Sequence, residues 1–427
     1  MNLKIHIGIK SLSESNTFLR ALWANIRNEF GKCAWQYSPY RDGSSNTIFI
    51  GHMDINLIEN KSVSCSLIYK EKGSIQSIQF YSDVEDAEIE NRLRNCVNRA
   101  KNDDSIKTFN LKFNIESLHA PIANYTGENF SIQVHNKSNV NSITVRVHGY
   151  DLKDAESNLL TIRDAFLCIL SVFTNSVFLS PYNKSEFNGQ GINKSNIFFG
   201  DYEWIDGYPI KEGKHHLLRQ CLTFLDLVAE DYLKLSPHFN KLIAACKQFH
   251  TGRKLDAQIN DQLFISSEEI DEKGGAFHLH RRDSRLREAV KFEILNSEIV
   301  NVLYVSTLET VAATFPFEKK VCVTCNQPVF SISKRVEALV KKYLGDFVAQ
   351  TIKHHYNSRS KFVHEGGLNS KYNYSGVSIP QLDPSTSSGC HVQSSTPDIN
   401  LREFTSFILR QVIVEKINAI SNNLDER

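Results

Sequence analysis

Apolar and polar positions alternate along the first 150 residues. Leu3, Ile5, Ile7 and Ile9 are separated by polar or small residues, the period of a half-buried strand. Phe109, Leu111, Phe113 and Ile115 repeat it, as do Ile143, Val145 and Val147. Further strands are expected near 46–51, 63–69, 75–82 and 130–135. Two segments carry helical spacing instead. One is about 13–31, with Phe18, Leu22 and Ile26 four apart; the other is about 84–100, where Asp83 or Asp86 can cap the first turn. Strands grouped with a few helices predict an α+β domain with a mixed, mostly antiparallel sheet.

At Asp151 the period changes. Ala155, Leu159, Ile162, Phe166 and Ile169 share one helical stripe that ends near Thr174-Asn175, as expected of a helix packed over the preceding sheet. Residues 180–213 then turn polar and rich in Gly, Asn, Ser and Pro, which predicts an ordered loop or bridge. From about 214 the signal is helical: 216–234, 236–250, 284–313 and 332–356. The last of these has Val336, Leu339, Val340, Tyr343, Phe347 and Ile352 on its apolar side. A Gly/Ser/Pro-rich stretch at 366–398 interrupts the helices. A closing helix follows, with Asn400 and Glu403 spaced as a capping box. The chain therefore divides into an α+β N-terminal domain (1–150), a helix-and-loop bridge packed on it (151–213) and an all-α C-terminal bundle (214–427) with an insertion near 366–398.

Composition narrows the classes. At roughly 150 residues per domain, 427 residues suggest two or three. With 41% apolar and 23% charged residues, wholesale disorder is excluded. The longest apolar runs, such as Phe166–Leu170, fall far short of the ~20 residues of a membrane span, and the start has no apolar signal core. A cytoplasmic protein with no membrane partner is the expectation. Nine cysteines scattered over a long chain read as reduced thiols. The 49 basic and 48 acidic residues balance, so any nucleic-acid contact must be a local patch.

One constellation carries chemistry. The stretch from Tyr356 to Gly367 contains Arg359 and, after four intervening residues, His364. An imidazole titrating near neutrality can move the proton of a ribose 2′-OH or of the leaving 5′-oxygen. A guanidinium can hold two phosphate oxygens of a pentavalent transition state. Such cleavage is confined to RNA, which alone supplies the internal 2′-OH. Spacing adds a constraint, because five steps of an unbroken helix rotate about 500°, leaving the two residues about 140° apart. Either the helix breaks near His364, at Gly366-Gly367, or two copies form a composite site across a two-fold axis, the more economical arrangement. The bland alternative is a surface Arg and a His at a helix C-terminus, where a cation is favourable.

That stretch resembles the signature of the HEPN superfamily, an Arg, four to six residues, then His, and most resembles the Apea-like branch. Residues 301–313, with Leu308-Glu309, resemble the helix preceding the motif helix of that branch. The segment from Lys334-Arg335-Val336 resembles the motif helix, and 400–421 the closing helix. Gly149 through Asn175 carries a looser likeness. The resemblance covers about 236–425. It implies an α+β region followed by an all-α HEPN helical bundle. The implied activity is a metal-independent endoribonuclease with no cofactor, working in antiphage defence or abortive infection as a homodimer through its C-terminal helices. Arg359 and His364 would be its catalytic residues, with Ser360, Tyr356 and Lys361 binding RNA phosphate. Its partners would be RNA, transfer RNA among the candidates, and a phage-derived or protein trigger bound by the N-terminal half. Ser360 and Glu365 depart from the residues usual beside the motif.

Between 331 and 361 seven basic residues (Lys334, Arg335, Lys341, Lys342, Lys353, Arg359 and Lys361) face two acidic ones, which suits phosphate or a solvated helix face equally. Two other functional classes stay open. One is a catalytically silent HEPN bundle binding RNA, nucleotide or a partner protein as a regulator. The other is a zinc-stabilised nucleic-acid-binding protein built on Cys322 and Cys325, completed by Cys390, His391, His354 or His355. His278, His280, Arg281 and Arg282 could bind metal or phosphate, or simply lead into the helix that follows.

Overall fold

The computed structural model describes the chain apart from residues 32, 43–44, 57–60, 70–72, 103–104, 118–119, 136–138, 181–204, 207–209, 272–298, 317–331, 366–379, 383–389, 393–400 and 426–427. Within helices and strands it also leaves aside the side chains of 35–37, 39–42, 45, 56, 61, 257–271, 354, 358–365, 380–382, 390–392 and 421–425. The fold is α+β, with antiparallel sheets in the N-terminal half and a mostly helical C-terminal part. The chain passes three times between two units: Met1–Leu111 with Arg146–Leu160, and Lys112–Val145 with Thr161–Arg427.

In the first unit the period-two runs become strands β1 (Asn2–Ile9), β2 (Cys33–Asp42), β3 (Ser45–Asn56), β4 (Lys61–Tyr69) and β5 (Ile75–Tyr81). They form one sheet in the order β1-β5-β4-β3-β2, antiparallel throughout. Register places Leu3 opposite Phe80, Ile5 opposite Ile78 and Leu67 opposite Ile78, so one face of the sheet is apolar. Helices α1 (Leu12–Phe30) and α2 (Ala87–Lys101) contribute Phe18, Leu22, Ile26, Leu93, Cys96 and Val97 to the same core. Burying each large side chain there contributes about 1.5–3 kcal/mol. Asp86, one of the two expected caps, accepts from the amides of Glu88 and Ile89.

The start of helix α3 (Leu152–Thr174) is tied to α1 by two bidentate pairs, Arg20 with Asp154 and Arg27 with Asp151, at 2.7–2.9 Å. Gly149, just before it, has no room for a side chain: a Cβ would lie 2.6 Å from the Ala155 nitrogen. By length and composition α3 is long and apolar enough to cross a membrane. Interspersed polar residues break its apolar run, so run length alone does not mark it. In the structure 61% of its apolar window is buried inside the protein.

The second sheet runs β10-β6-β9-β8-β7, where β6 is Lys107–Ser117, β7 Tyr125–Thr126, β8 Phe130–Val134, β9 Val140–Gly149 and β10 Phe178–Leu179. Phe166 of α3 meets Phe113 of β6 and Phe130 of β8 edge to face, at ring separations of 6.1 and 5.2 Å. Strands β11 (Ile210–Lys211) and β12 (Lys214–His215) form a hairpin whose two central residues, Glu212 and Gly213, both have positive φ.

Helices follow: α4 (Arg219–Asp231), α5 (Pro237–Asp271), α6 (Ile299–Ala312), α7 (Ile332–Glu365) and α8 (Leu401–Asp425). Helix α5 runs about twenty residues beyond the expected end at 250. The described part of the helix expected at 284–313 is α6. Within 366–398, expected as an irregular insertion, β13 (Pro380–Leu382) pairs antiparallel with β14 (Cys390–Val392).

Candidate functional site

Helix α7 is not one straight rod. At Gly345 the backbone takes φ +83° and ψ 176°, a combination open essentially only to glycine. Across this point Lys353 Nζ lies 3.1 Å from the Glu337 carboxylate, and Lys341 pairs with Asp346 at 2.7 Å. On a straight helix residues 337 and 353 would stand about 24 Å apart along the axis, beyond the reach of a lysine and a glutamate. The halves 332–344 and 346–365 therefore fold back on one another as two arms. Val336, Leu339 and Val340 of the first arm and Ala349 and Ile352 of the second are buried.

This corrects the expected apolar stripe. Phe347, placed with the core by spacing, is 80% exposed. The corner resets the helical phase: Ile352 is buried as expected, and Ala349, not Phe347, shares its inward side.

All five motif residues lie on the second arm. Tyr356 is half-buried, whereas the side chains of Arg359, Ser360, Lys361 and His364 lie outside the described residues. Their backbone is helical through Glu365, so a helix break near His364, one of the two alternatives, does not occur before that residue. Positions 359 and 364 thus stay about 140° apart around one helix. A single copy does not bring these two backbone positions to the same side.

The surrounding charge is more committed than the count of lysines suggested. Lys341, Lys342 and Lys353 pair with Asp346, Glu415 and Glu337. Glu415 comes from α8, far along the chain from the basic stretch it neutralises. Lys342 also sits over the Tyr343 and Phe315 rings, at 4.6 and 5.4 Å. Exposed pairs of this kind add little to stability, and they leave these lysines engaged with carboxylates rather than open.

A polar knot that the sequence did not single out lies deep in the second unit. Asn175 ends α3 with φ +50° and donates from Nδ2 to Glu403. Glu403, expected as a capping-box residue, is 1% exposed; it also accepts from Arg410 at 2.8 Å and from the Ile205 amide at 3.2 Å. Arg410, 2% exposed on its side chain, reaches Asp206 at 2.6 Å and the Val172 carbonyl at 3.3 Å. Nearby, buried Arg253 donates to the Asn175 carbonyl and to Asp256. The available signal was an Arg within an apolar stretch: Arg410 follows Ile408 and Leu409 and precedes Val412 and Ile413.

Cys322, Cys325, His278, His280, Arg281 and Arg282 lie outside the described residues, as do the side chains of His354, Cys390 and His391. His355 is half-buried. Among the described residues no group of three His, Cys, Asp or Glu could hold a metal ion. Cys168, Cys221 and Cys246 are free and buried; burial pushes the Cys168 thiol up to about 12 and the other two well above the usual range. They are poor nucleophiles. No protein-family model, no curated protein and no solved structure matches the chain.

Proposed function

We propose that the chain is a metal-independent endoribonuclease of the Apea-like HEPN kind. The observation carrying this reading is the Arg359-x4-His364 signature on a continuous helical arm, within a mostly helical C-terminal part. Arg359 holds the scissile phosphate and offsets the charge gained as the 2′-oxygen attacks phosphorus. His364 handles the proton, taking it from the 2′-OH or giving it to the 5′-oxygen as the P–O5′ bond breaks. The products are a 2′,3′-cyclic phosphate and a free 5′-hydroxyl. The angle between positions 359 and 364 favours a composite site, with Arg from one copy and His from the other. Ser360, Tyr356 and Lys361 steady the phosphate. By the same resemblance the protein acts in the cytoplasm in antiphage defence, its N-terminal half receiving the trigger.

The test is cleavage of bulk or transfer RNA in EDTA by wild type, Arg359→Ala and His364→Ala. Wild type is expected to cut and both variants to lose at least a hundredfold in rate, the order of one general acid or base. An inert wild type, or variants that cut equally well, would leave the silent RNA-binding bundle as the better account.

A further inference from the structure

The corner at Gly345 lies fourteen residues before Arg359, on the same arm. Two independent features hold the fold-back. The first is conformational: a side chain at position 345 would point into open space, with nothing within 4 Å of its Cβ, so crowding does not explain the glycine. The backbone angle does, since φ +83° with ψ 176° strains any residue that has a Cβ. The second is electrostatic. Lys353, on the motif arm, closes onto Glu337 of the opposite arm.

The first arm is itself anchored. Val336, Leu339 and Val340 are buried, and Lys342 bonds both oxygens of Glu415 on α8, at 2.9 and 2.7 Å. The second arm is helical without a break from Lys353 to Glu365, so an error of tilt at the corner is carried outward to positions 359 and 364. A composite site is sensitive to that error, because each arm must present its group to a partner it does not control. Displacements of about 1 Å at reacting groups are enough to lower rates a hundredfold.

We propose that Gly345 and the Glu337–Lys353 pair are positioning elements that aim the motif arm of α7 at the scissile phosphate. This rests on the ribonuclease reading above. It adds three residues, none of which touches substrate, and a distinct kinetic expectation. Loss of aim lowers kcat and leaves KM for RNA nearly unchanged. Gly345→Ala is expected to lose at least tenfold in kcat. Glu337→Lys and Lys353→Glu are each expected to lose a few-fold, and the double reversal to recover most of it by restoring the pair with opposite sense.

The experiment combines those kinetics with a distance. Spin labels on a ketone-bearing amino acid at exposed positions 334 and 357 report the separation of the arms. The Glu337–Lys353 pair holds the backbone at these sites within about 20 Å before label linkers, whereas a straight helix would separate them by about 35 Å. A short distance in wild type, a longer or broader one in Gly345→Ala, and kcat losses reversed by the charge swap would support the proposal. A long wild-type distance would overturn it by removing the corner. Altered distances with unchanged kcat would overturn it by showing that aim is immaterial, as would single reversals that the double reversal does not rescue. If wild type cuts no RNA while the short distance stands, the ribonuclease reading has failed, and the positioning role falls with it.

Discussion

Glu403 and Arg410, two helical turns apart on one face of α8, meet at 2.8 Å with both side chains almost wholly withdrawn from water. A buried ion pair is justified only when its remaining lone pairs and protons are satisfied. Here Asn175 and the Ile205 amide serve the carboxylate, while Asp206 and the Val172 carbonyl serve the guanidinium. The two partners are not equivalent. Without Glu403, Arg410 still has Asp206; without Arg410, two carboxylates lose their shared cation. Arg410→Met should therefore destabilise the protein by about 3–5 kcal/mol, and Glu403→Gln by only about 1–2 kcal/mol. Urea midpoints at unchanged m-value measure both. Equal losses would show that Asp206 takes no share of the charge.

Two buried histidines predict a stability profile. His215 is 1% exposed with neither ring nitrogen partnered, and its ring lies 6.3 Å from that of Phe178. His250, 5% exposed, leaves Nδ1 unpartnered. Burial holds the pKa of His215 down at about 4, against 6.5 when free. Burial, reinforced by Lys254 and Arg253, holds His250 down at about 3, although a backbone hydrogen bond at Phe178 works the other way. Both folded values lie below the unfolded one, so the unfolded chain takes up protons first. Stability is complete above pH 6.5, falls as the pH drops below it, and stops falling from this source near pH 3–4. At pH 5 each histidine removes about 2 kcal/mol. Urea unfolding at pH 7.5 and pH 5 should show the loss, and His215→Leu should flatten part of it. A profile with no difference between those conditions would contradict the neutral burial of these rings.

How far the sequence could be read depended on whether a pattern had one physical interpretation. Alternation at Leu3–Ile9 could only be a half-buried strand, and β1 is there. Spacing at Phe18, Leu22 and Ile26 could only be a helix face, and all three are buried in α1. The run Val336, Leu339, Val340, Tyr343, Phe347 fits a single straight helix equally well with or without a corner, because a glycine inside a helical pattern is usually tolerated. Nothing local marks Gly345 as left-handed. The buried knot was illegible for another reason: Asn175 and Asp206 reach Glu403 and Arg410 of α8 only through tertiary packing. The motif pair was legible as chemistry, but its helical phase alone left a broken helix and a composite site both open. The interleaving of 112–145 with the helical part likewise has no counterpart in local periodicity.

The corner yields a paired test on one arm. Phe347 is 80% exposed and Ile352 is 1% exposed, five residues further on. Phe347→Ser should change stability by no more than about 0.5 kcal/mol, while Ile352→Ala should cost about 2–5 kcal/mol. A straight α7 with Phe347 in the core would give a large loss at both positions. Denaturant midpoints of the two single variants separate the cases without any assumption about activity.

The phase of the second arm also makes the composite site testable by mixing. Arg359→Ala and His364→Ala should each be inactive alone. In a dimer built from one copy of each, one site inherits both lesions and the other neither, since the intact Arg359 and intact His364 come from opposite copies. If subunits exchange at random, half the dimers are mixed and each carries one working site, so the mixture should recover about a quarter of wild-type activity. Sites assembled within single copies would recover nothing, because every arm would still lack one of its two groups. The mixing ratio sharpens the reading: recovery should peak at equal proportions and decline on both sides, in proportion to the fraction of mixed dimers. Recovery that ignores the ratio would point to contamination by wild type rather than to shared sites.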